Sequence, residues 1–255
     1  MRNLIIIPCV IAAFVAGACG DRHSNAGDAN AAEVTTVSPE TSSVSTPTGA
    51  AGAGAVSFES ANAAFTEKRY DEAVRLFNTY TTEKPDNVWG FYMLGLSAWK
   101  TGDRDAAVRA FIQALEKDST HVKTRLNLSR VLIEQGKAQE ALPYVEGVVT
   151  IDSTSNEAYR LLGRAKRELG DSAGAIEAFK QAIVLDERDA WSMNNLAKLY
   201  IGQGRYEDAL GPLARAIEID STVAAYHTNL GRALERTADR SRLAEAFVEQ
   251  VKTWR

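Results

Sequence analysis

From Ser57 onward the chain repeats one pattern of residue types every 34 positions, with no insertion or deletion. That register limits the fold more than any other feature, because a fixed period of this length belongs to a stack of similar units. Phe91, Leu94 and Gly95 are followed by Ala107, Phe111 and Ala114. Steps of 34 then reach Leu128-Ser129 with Ala141, Val145 and Val148, and Leu162-Gly163 with Ala175, Phe179 and Ala182. Two more reach Leu196-Ala197 with Ala209, Leu213 and Ala216, and Leu230-Gly231 with Phe247; one step back gives Ala61, Ala73, Phe77 and Tyr80. Ala175, Ile176, Phe179, Ala182 and Ile183 fall on one helical face. Gly102, Gly136, Gly170 and Gly204 recur where two helices must be joined by a turn.

Other recurring residues predict finer detail. The small residue of the Leu-Gly pair should let the second helix approach, with the alanine of A-x3-F meeting the gap. Asp118, Asp152, Asp186 and Asp220 close each unit, with Ser119, Ser153 and Ser221 after three of them, and read as helix caps. Pro143 and Pro212 lie about one turn into second helices and predict a slight kink or a late helix start.

The period and its Leu-Gly, A-x3-F pattern resemble the tetratricopeptide-repeat (TPR) family. The resemblance covers six units, approximately 54–87, 88–121, 122–155, 156–189, 190–223 and 224–255. It departs in keeping the closing proline only as Pro85 and in having Leu243 where alanine is expected. It implies an all-α fold: a right-handed TPR superhelix, or solenoid, of about six helical hairpins and twelve antiparallel helices. First helices would line a concave inner surface, and the second helix of unit six would serve as its own cap.

The same resemblance implies which residues face the groove. At position 9 of the first helices stand Arg130, Arg164, Lys198 and Arg232, one cation in each of units three to six. Position 6 holds Asn127, Leu161, Asn195 and Asn229, and Arg160 adds a cation at position 5 of unit four. Units one and two instead place Phe58, Trp89, Tyr92, Leu96 and Trp99 at groove positions. The groove is therefore expected to be aromatic at its N-terminal end and basic, with amides, at the other. Partner segments would bring carboxylates to the cations, backbone to the asparagines and apolar anchors to the aromatics. A solvated face is the competing reading, since Glu134 and Glu168 stand four residues after Arg130 and Arg164. Trp89 and Trp99 have one too, as packing against the preceding unit. The full residue set of the carboxylate clamp of chaperone-binding TPR domains is missing.

Little in the repeats suggests chemistry. His121 falls in a turn between units and His227 opens the last unit, too far apart to cooperate. There is no phosphate loop and no metal-ligand spacing, so neither an enzyme nor a cofactor is expected. The net charge of -4 gives no reason to expect nucleic acid.

Ahead of the repeats, residues 1–18 have a basic start (Arg2), an apolar run from Leu4 to Val15 and small residues up to Ala18: the plan of a secretory signal peptide. Ala16-Gly17-Ala18-Cys19 resembles the lipobox of bacterial lipoproteins, although Ala16 stands where Leu or Val is usual. That resemblance implies acylation of Cys19 and an anchor in the bacterial cell envelope, with Gly20 mildly favouring the outer membrane. Cys9 would leave with the leader, so the mature domain would hold no free thiol. Residues 19–56 are rich in Ser, Thr, Ala and Gly and lack aromatics; they read as a disordered tether with an end-to-end distance of roughly 30–35 Å. The solenoid domain is expected over 57–255. Taken together, these features predict a lipid-anchored scaffold that binds envelope proteins, in the assembly of envelope complexes. The alternative is a carbohydrate- or peptidoglycan-binding module that uses the aromatic end.

Overall fold

The computed structural model describes residues 55–253, with side chains through Ser241. The expected leader, Cys19 and nearly all of the tether lie outside the described residues. Within them the chain forms eleven α-helices and no strand. These are α1 (Phe58–Thr66), α2 (Tyr70–Glu83), α3 (Val88–Thr101), α4 (Arg104–Lys117), α5 (Val122–Glu134) and α6 (Ala138–Ile151). They continue with α7 (Asn156–Glu168), α8 (Ser172–Leu185), α9 (Ala190–Gly202), α10 (Tyr206–Ile219) and α11 (Ala224–Thr253). The second helices α4, α6, α8 and α10 begin at 104, 138, 172 and 206, so the helix phase follows the 34-residue register without slippage.

Each helix packs on its neighbours in sequence, and first helices of successive units also touch, α1 with α3, α3 with α5, α5 with α7 and α9 with α11. Second helices do not approach one another to that degree. Closer spacing of the first helices is what the inner layer of a curved stack requires. The result is an all-α, solenoid-like superhelix in which stacking, not any single hairpin, encloses the core.

Why the chain reverses inside each unit is visible in its backbone. Gly102, Gly136, Gly170 and Gly204 have φ of 91°, 74°, 81° and 70°, and Lys68 takes the same left-handed conformation at 62° in unit one. The amide after each donates back across the turn, as from Asp103 to the Ala98 carbonyl at 3.0 Å and from Lys137 to that of Leu132 at 2.8 Å. These bonds satisfy carbonyls that the helix end would otherwise leave unpaired. One step further along, the register holds Ala238, and there the chain does not turn. A side chain disfavours the left-handed region. The expected sixth hairpin is accordingly replaced by one continuous 30-residue helix, α11, and the expected twelve helices become eleven.

Other expectations are refined or changed. The gap at the Leu-Gly position is filled by the phenylalanine of A-x3-F, not by its alanine. A Cβ on Gly95 would sit 2.5 Å from Phe111, and one on Gly163 would sit 2.7 Å from Phe179. Units three and five carry Ser129 and Ala197 at this place and compensate with smaller Val145 and Leu213, all four fully buried. The aspartates Asp118, Asp152, Asp186 and Asp220 do cap helices, as the C-cap residues of α4, α6, α8 and α10. Each carboxylate accepts from the amide two residues on, as at Asp118 with Thr120 at 2.9 Å, and so shapes the link to the next unit. At Asp118, Asp152 and Asp220 these bonds, the threonine hydroxyl's first, hold the carboxyl below its usual pKa. The helix N-caps are separate residues, among them Asn87, Ser155 and Asp189. Finally, α6 and α10 start on schedule, so neither proline delays its helix; Pro143 is the sixth residue of α6 and Pro212 the seventh of α10.

Candidate functional site: the face of the first helices

Along α3, α5, α7, α9 and α11 the residues singled out in the sequence form one row of contacts between units, and its two ends differ. At the N-terminal end Trp89 stands 44% exposed, edge-on to Tyr92 and to His121, whose ring centroids lie 5.5 and 4.8 Å away. The Lys123 ammonium lies 5.6 Å from the Trp89 ring. Tyr92 is buried, and its hydroxyl accepts from Asn127 at 3.2 Å. Burial, reinforced by the nearby Glu157 charge, pushes its pKa up to about 12. His121 is half-buried, with Nδ1 2.6 Å from the Thr124 hydroxyl, and burial lowers its pKa. Trp99 donates from Nε1 to Glu134 at 3.0 Å, with the Arg130 guanidinium 5.6 Å from its ring. Both tryptophans thus meet the following unit. Phe58 packs inside unit one against Phe77 and Tyr80, and Leu96 is buried.

The first three cations are held by carboxylates. Arg130 pairs with Glu157 at the start of α7 and donates to Asn127 Oδ1 at 2.9 Å. Glu134, four residues after it, is taken instead by Trp99 and by Arg104 at 3.3 Å. Arg164 pairs with Glu168 at 3.3 Å within its own helix. Arg160 lies 3.7 Å from Asp189 and 4.8 Å from the centroid of Trp191, so it reaches into the next unit. Asp189 is itself buried; it caps α9 by accepting from Ser192 N at 3.0 Å and receives Asn156 Nδ2 at 3.1 Å.

Beyond this point the pattern breaks. Lys198 and Arg232 are exposed, and neither has a carboxylate partner among the described residues. Partial desolvation, then the charge of Arg167, lowers the pKa of Lys198. The difference follows from the sequence: four residues after Lys198 and Arg232 stand Gly202 and Arg236, where Arg164 has Glu168, and Ala225 stands 27 residues after Lys198, where Arg130 has Glu157. The amides are less available. Asn195 is buried, donates to the Trp191 carbonyl at 2.9 Å and accepts from Arg167 at 2.6 Å. Asn127 is likewise engaged at both ends of its amide, and Asn229 donates to Asn194 at 2.8 Å. These bonds knit neighbouring first helices together. Sequence reasoning missed Glu157, Asp189 and Asn156; an acidic residue at position 2 or at an N-cap facing a cation of the preceding unit was the available signal.

Among the described residues no group of three or more His, Cys, Asp or Glu could hold a metal ion, and no helix is long and apolar enough to cross a membrane.

Comparison with known proteins agrees with this architecture. The tetratricopeptide-repeat family profile matches residues 92–156 and 160–224, just over half of the chain. Human tetratricopeptide repeat protein 7B is 33% identical over 95 residues, 37% of this chain and 11% of that protein. DnaJ homolog subfamily C member 3 of Gallus gallus is 24% identical over 165 residues, 60% of this chain and 32% of that one. The chain therefore spans about a tenth and a third of these relatives' lengths. Among solved structures, MamA 41-end from Desulfovibrio magneticus RS-1 has a TM-score of 0.61 at 21% identity, over 64% of this chain and 93% of that chain. YrrB, described as a TPR protein with an unusual peptide-binding site, has a TM-score of 0.60 at 20% identity, over 67% and 88%. At such identities the likeness is one of fold, and it coincides with the register, the turns and the stacking described above: this chain belongs to the tetratricopeptide-repeat family.

Proposed function

We propose that this chain is a lipid-anchored scaffold of the bacterial cell envelope that holds acidic segments of partner proteins against its C-terminal first helices. Tetratricopeptide-repeat proteins mediate protein–protein interactions, which supports a scaffold role without naming the partner. One observation carries the finer reading. Lys198 and Arg232 are exposed cations at equivalent positions of adjacent units, with no carboxylate spent on either among the described residues. An acidic side chain or a C-terminal carboxylate would gain charge-assisted hydrogen bonds there. Anchoring rests on the leader and on acylation of Cys19, with the outer membrane favoured by Gly20.

In-cell crosslinking of the wild type against a Lys198→Glu, Arg232→Glu double variant tests the surface. Loss of captured partners at unchanged helical content supports it, and equal capture rejects it. Cys19→Ser should move the protein from the membrane to the soluble fraction; a variant that stays membrane-bound rejects the lipid anchor.

A second reading, a carbohydrate- or peptidoglycan-binding module, is favoured by the exposure of Trp89 beside Tyr92 and His121, since sugar rings stack on such faces. It requires that purified wall material bind the protein and that Trp89→Ala abolish binding.

A further inference from the structure

Where one first helix meets the next, from α3 to α9, an acid stands in the joint. Glu134 of α5 accepts from Trp99 of α3 at 3.0 Å, and Glu157 of α7 pairs with Arg130 of α5. Asp189, the N-cap of α9, takes Asn156 and Arg160 of α7. Between α9 and α11 the side-chain bond among the described residues is neutral: Asn229 donates to Asn194 at 2.8 Å. Lys198 and Arg232 flank this joint, and no carboxylate among the described residues reaches either.

The register identifies what differs. Glu157 belongs to the first turn of α7, whereas the first turn of α11 contains no acid. The residue of α11 that corresponds to Glu157 is Ala225, and it is exposed, as Lys198 is. The charge that acts on Lys198 is a like one, that of Arg167, itself bonded to Asn195 at 2.6 Å. The Arg130–Glu157 pair shows where a carboxylate goes at such a joint. At Lys198 the chain provides the cation and withholds the acid.

We propose, on the reading that the C-terminal first helices are the binding surface, that an acidic side chain of the partner takes at Lys198 the place that Glu157 takes at Arg130. Ala225 is then the specificity-determining residue, because its short side chain keeps that place free. The incoming carboxylate gains charge-assisted hydrogen bonds from the ammonium and offsets the repulsion between Lys198 and Arg167. It also lies at the first turn of α11, where the helix dipole favours negative charge. Once bound, it is the acid that the α9–α11 joint lacks. Binding therefore tightens the docking of unit six on unit five, and tighter docking strengthens binding by the same factor. In the earlier units the chain's own acid holds the corresponding place, so a partner's acid is excluded from it.

The test uses the full chain with Cys19→Ser and hexaglutamate as the probe, in titration calorimetry at low ionic strength, where screening is weakest. Ala225→Glu supplies the acid from within and should weaken binding about fivefold or more, while Ala225→Gln, of equal bulk and no charge, should stay within about twofold. Ala225→Asp serves as the second acid should Ala225→Glu disturb the fold. Without peptide, Ala225→Glu should raise the urea midpoint, and by less when Lys198→Ala is also present. In the parent chain, saturating hexaglutamate should slow amide exchange over residues 226–236 of α11. A parent chain that binds no hexaglutamate overturns the proposal together with the binding surface. Binding that Lys198→Glu abolishes and Ala225→Glu leaves intact overturns this proposal alone. Equal loss with Ala225→Gln, or bound peptide that leaves exchange in α11 unchanged, does so too.

Discussion

The two ends of the first-helix face place the same residue type in the same register and put it to different use. In units three and four the cations lie against carboxylates: Arg130 on Glu157, Arg164 on Glu168, and Arg160 on Asp189. In units five and six, Lys198 and Arg232 have none among the described residues. Nothing about the cations themselves decides this. Their fate is set by whether an acid stands at position 2 of the next unit, at position 13 of their own, or at the N-cap of the next first helix. A repeated charge is therefore not yet a binding surface; the residues that neutralise it must be read with it.

Three experiments press on that contrast, from the largest expected effect to the smallest. Asp189→Ala removes the cap of α9, the buried acceptor of Asn156 and the ion-pair partner of Arg160. It should lower stability by about 2–3 kcal/mol in urea unfolding, because it leaves partly buried donors unpaired. The matching Lys198→Ala should change stability by less than about 0.5 kcal/mol, as an exposed residue without a partner should. Next, Glu157→Gln would free Arg130 at a cost of about 1 kcal/mol and turn a third cation toward solvent. If the contrast governs recognition, an acidic peptide should bind this variant several-fold more tightly in titration calorimetry. Unchanged affinity would separate ion pairing from binding.

The smallest effect concerns pH at the aromatic end. Burial lowers the pKa of His121 below its unfolded value near 6.5, so the folded state prefers the neutral ring. Stability from this site is complete above the unfolded pKa. It is lost as pH falls through the interval between the unfolded and folded values, where the unfolded chain binds the proton first. His121→Gln should flatten stability against pH as pH falls below about 6.5, measured by denaturant midpoints, whereas changes at Lys198 should leave the slope there alone.

Much of the fold was legible because the register is local information. Helix phase, turn glycines and the small-residue rows follow from one 34-residue period. What failed needed knowledge of a facing surface. Gly95 looked like a place for the alanine of A-x3-F because both are small, yet the ring of Phe111 enters it. The sixth hairpin was expected from Leu230-Gly231 and Phe247, but the register holds Ala238 where units two to five have a left-handed glycine, and there the helix runs on. At the candidate site, the sequence located the row of cations and the Arg164–Glu168 pairing. Helical spacing puts these two residues one turn apart. It did not show that Glu134 would turn to Trp99 and Arg104, leaving Arg130 to Glu157, because pairing between units depends on the pitch of the stack.

The unbroken 34-residue phase, with each helix resting only on its near neighbours, has a consequence for inheritance. A tandem duplication or loss of thirty-four codons anywhere within units two to five would add or remove one rung and bring the flanking helices back into phase. The stack can lengthen or shorten in single genetic steps while the first-helix rows of the units on either side keep their own contacts.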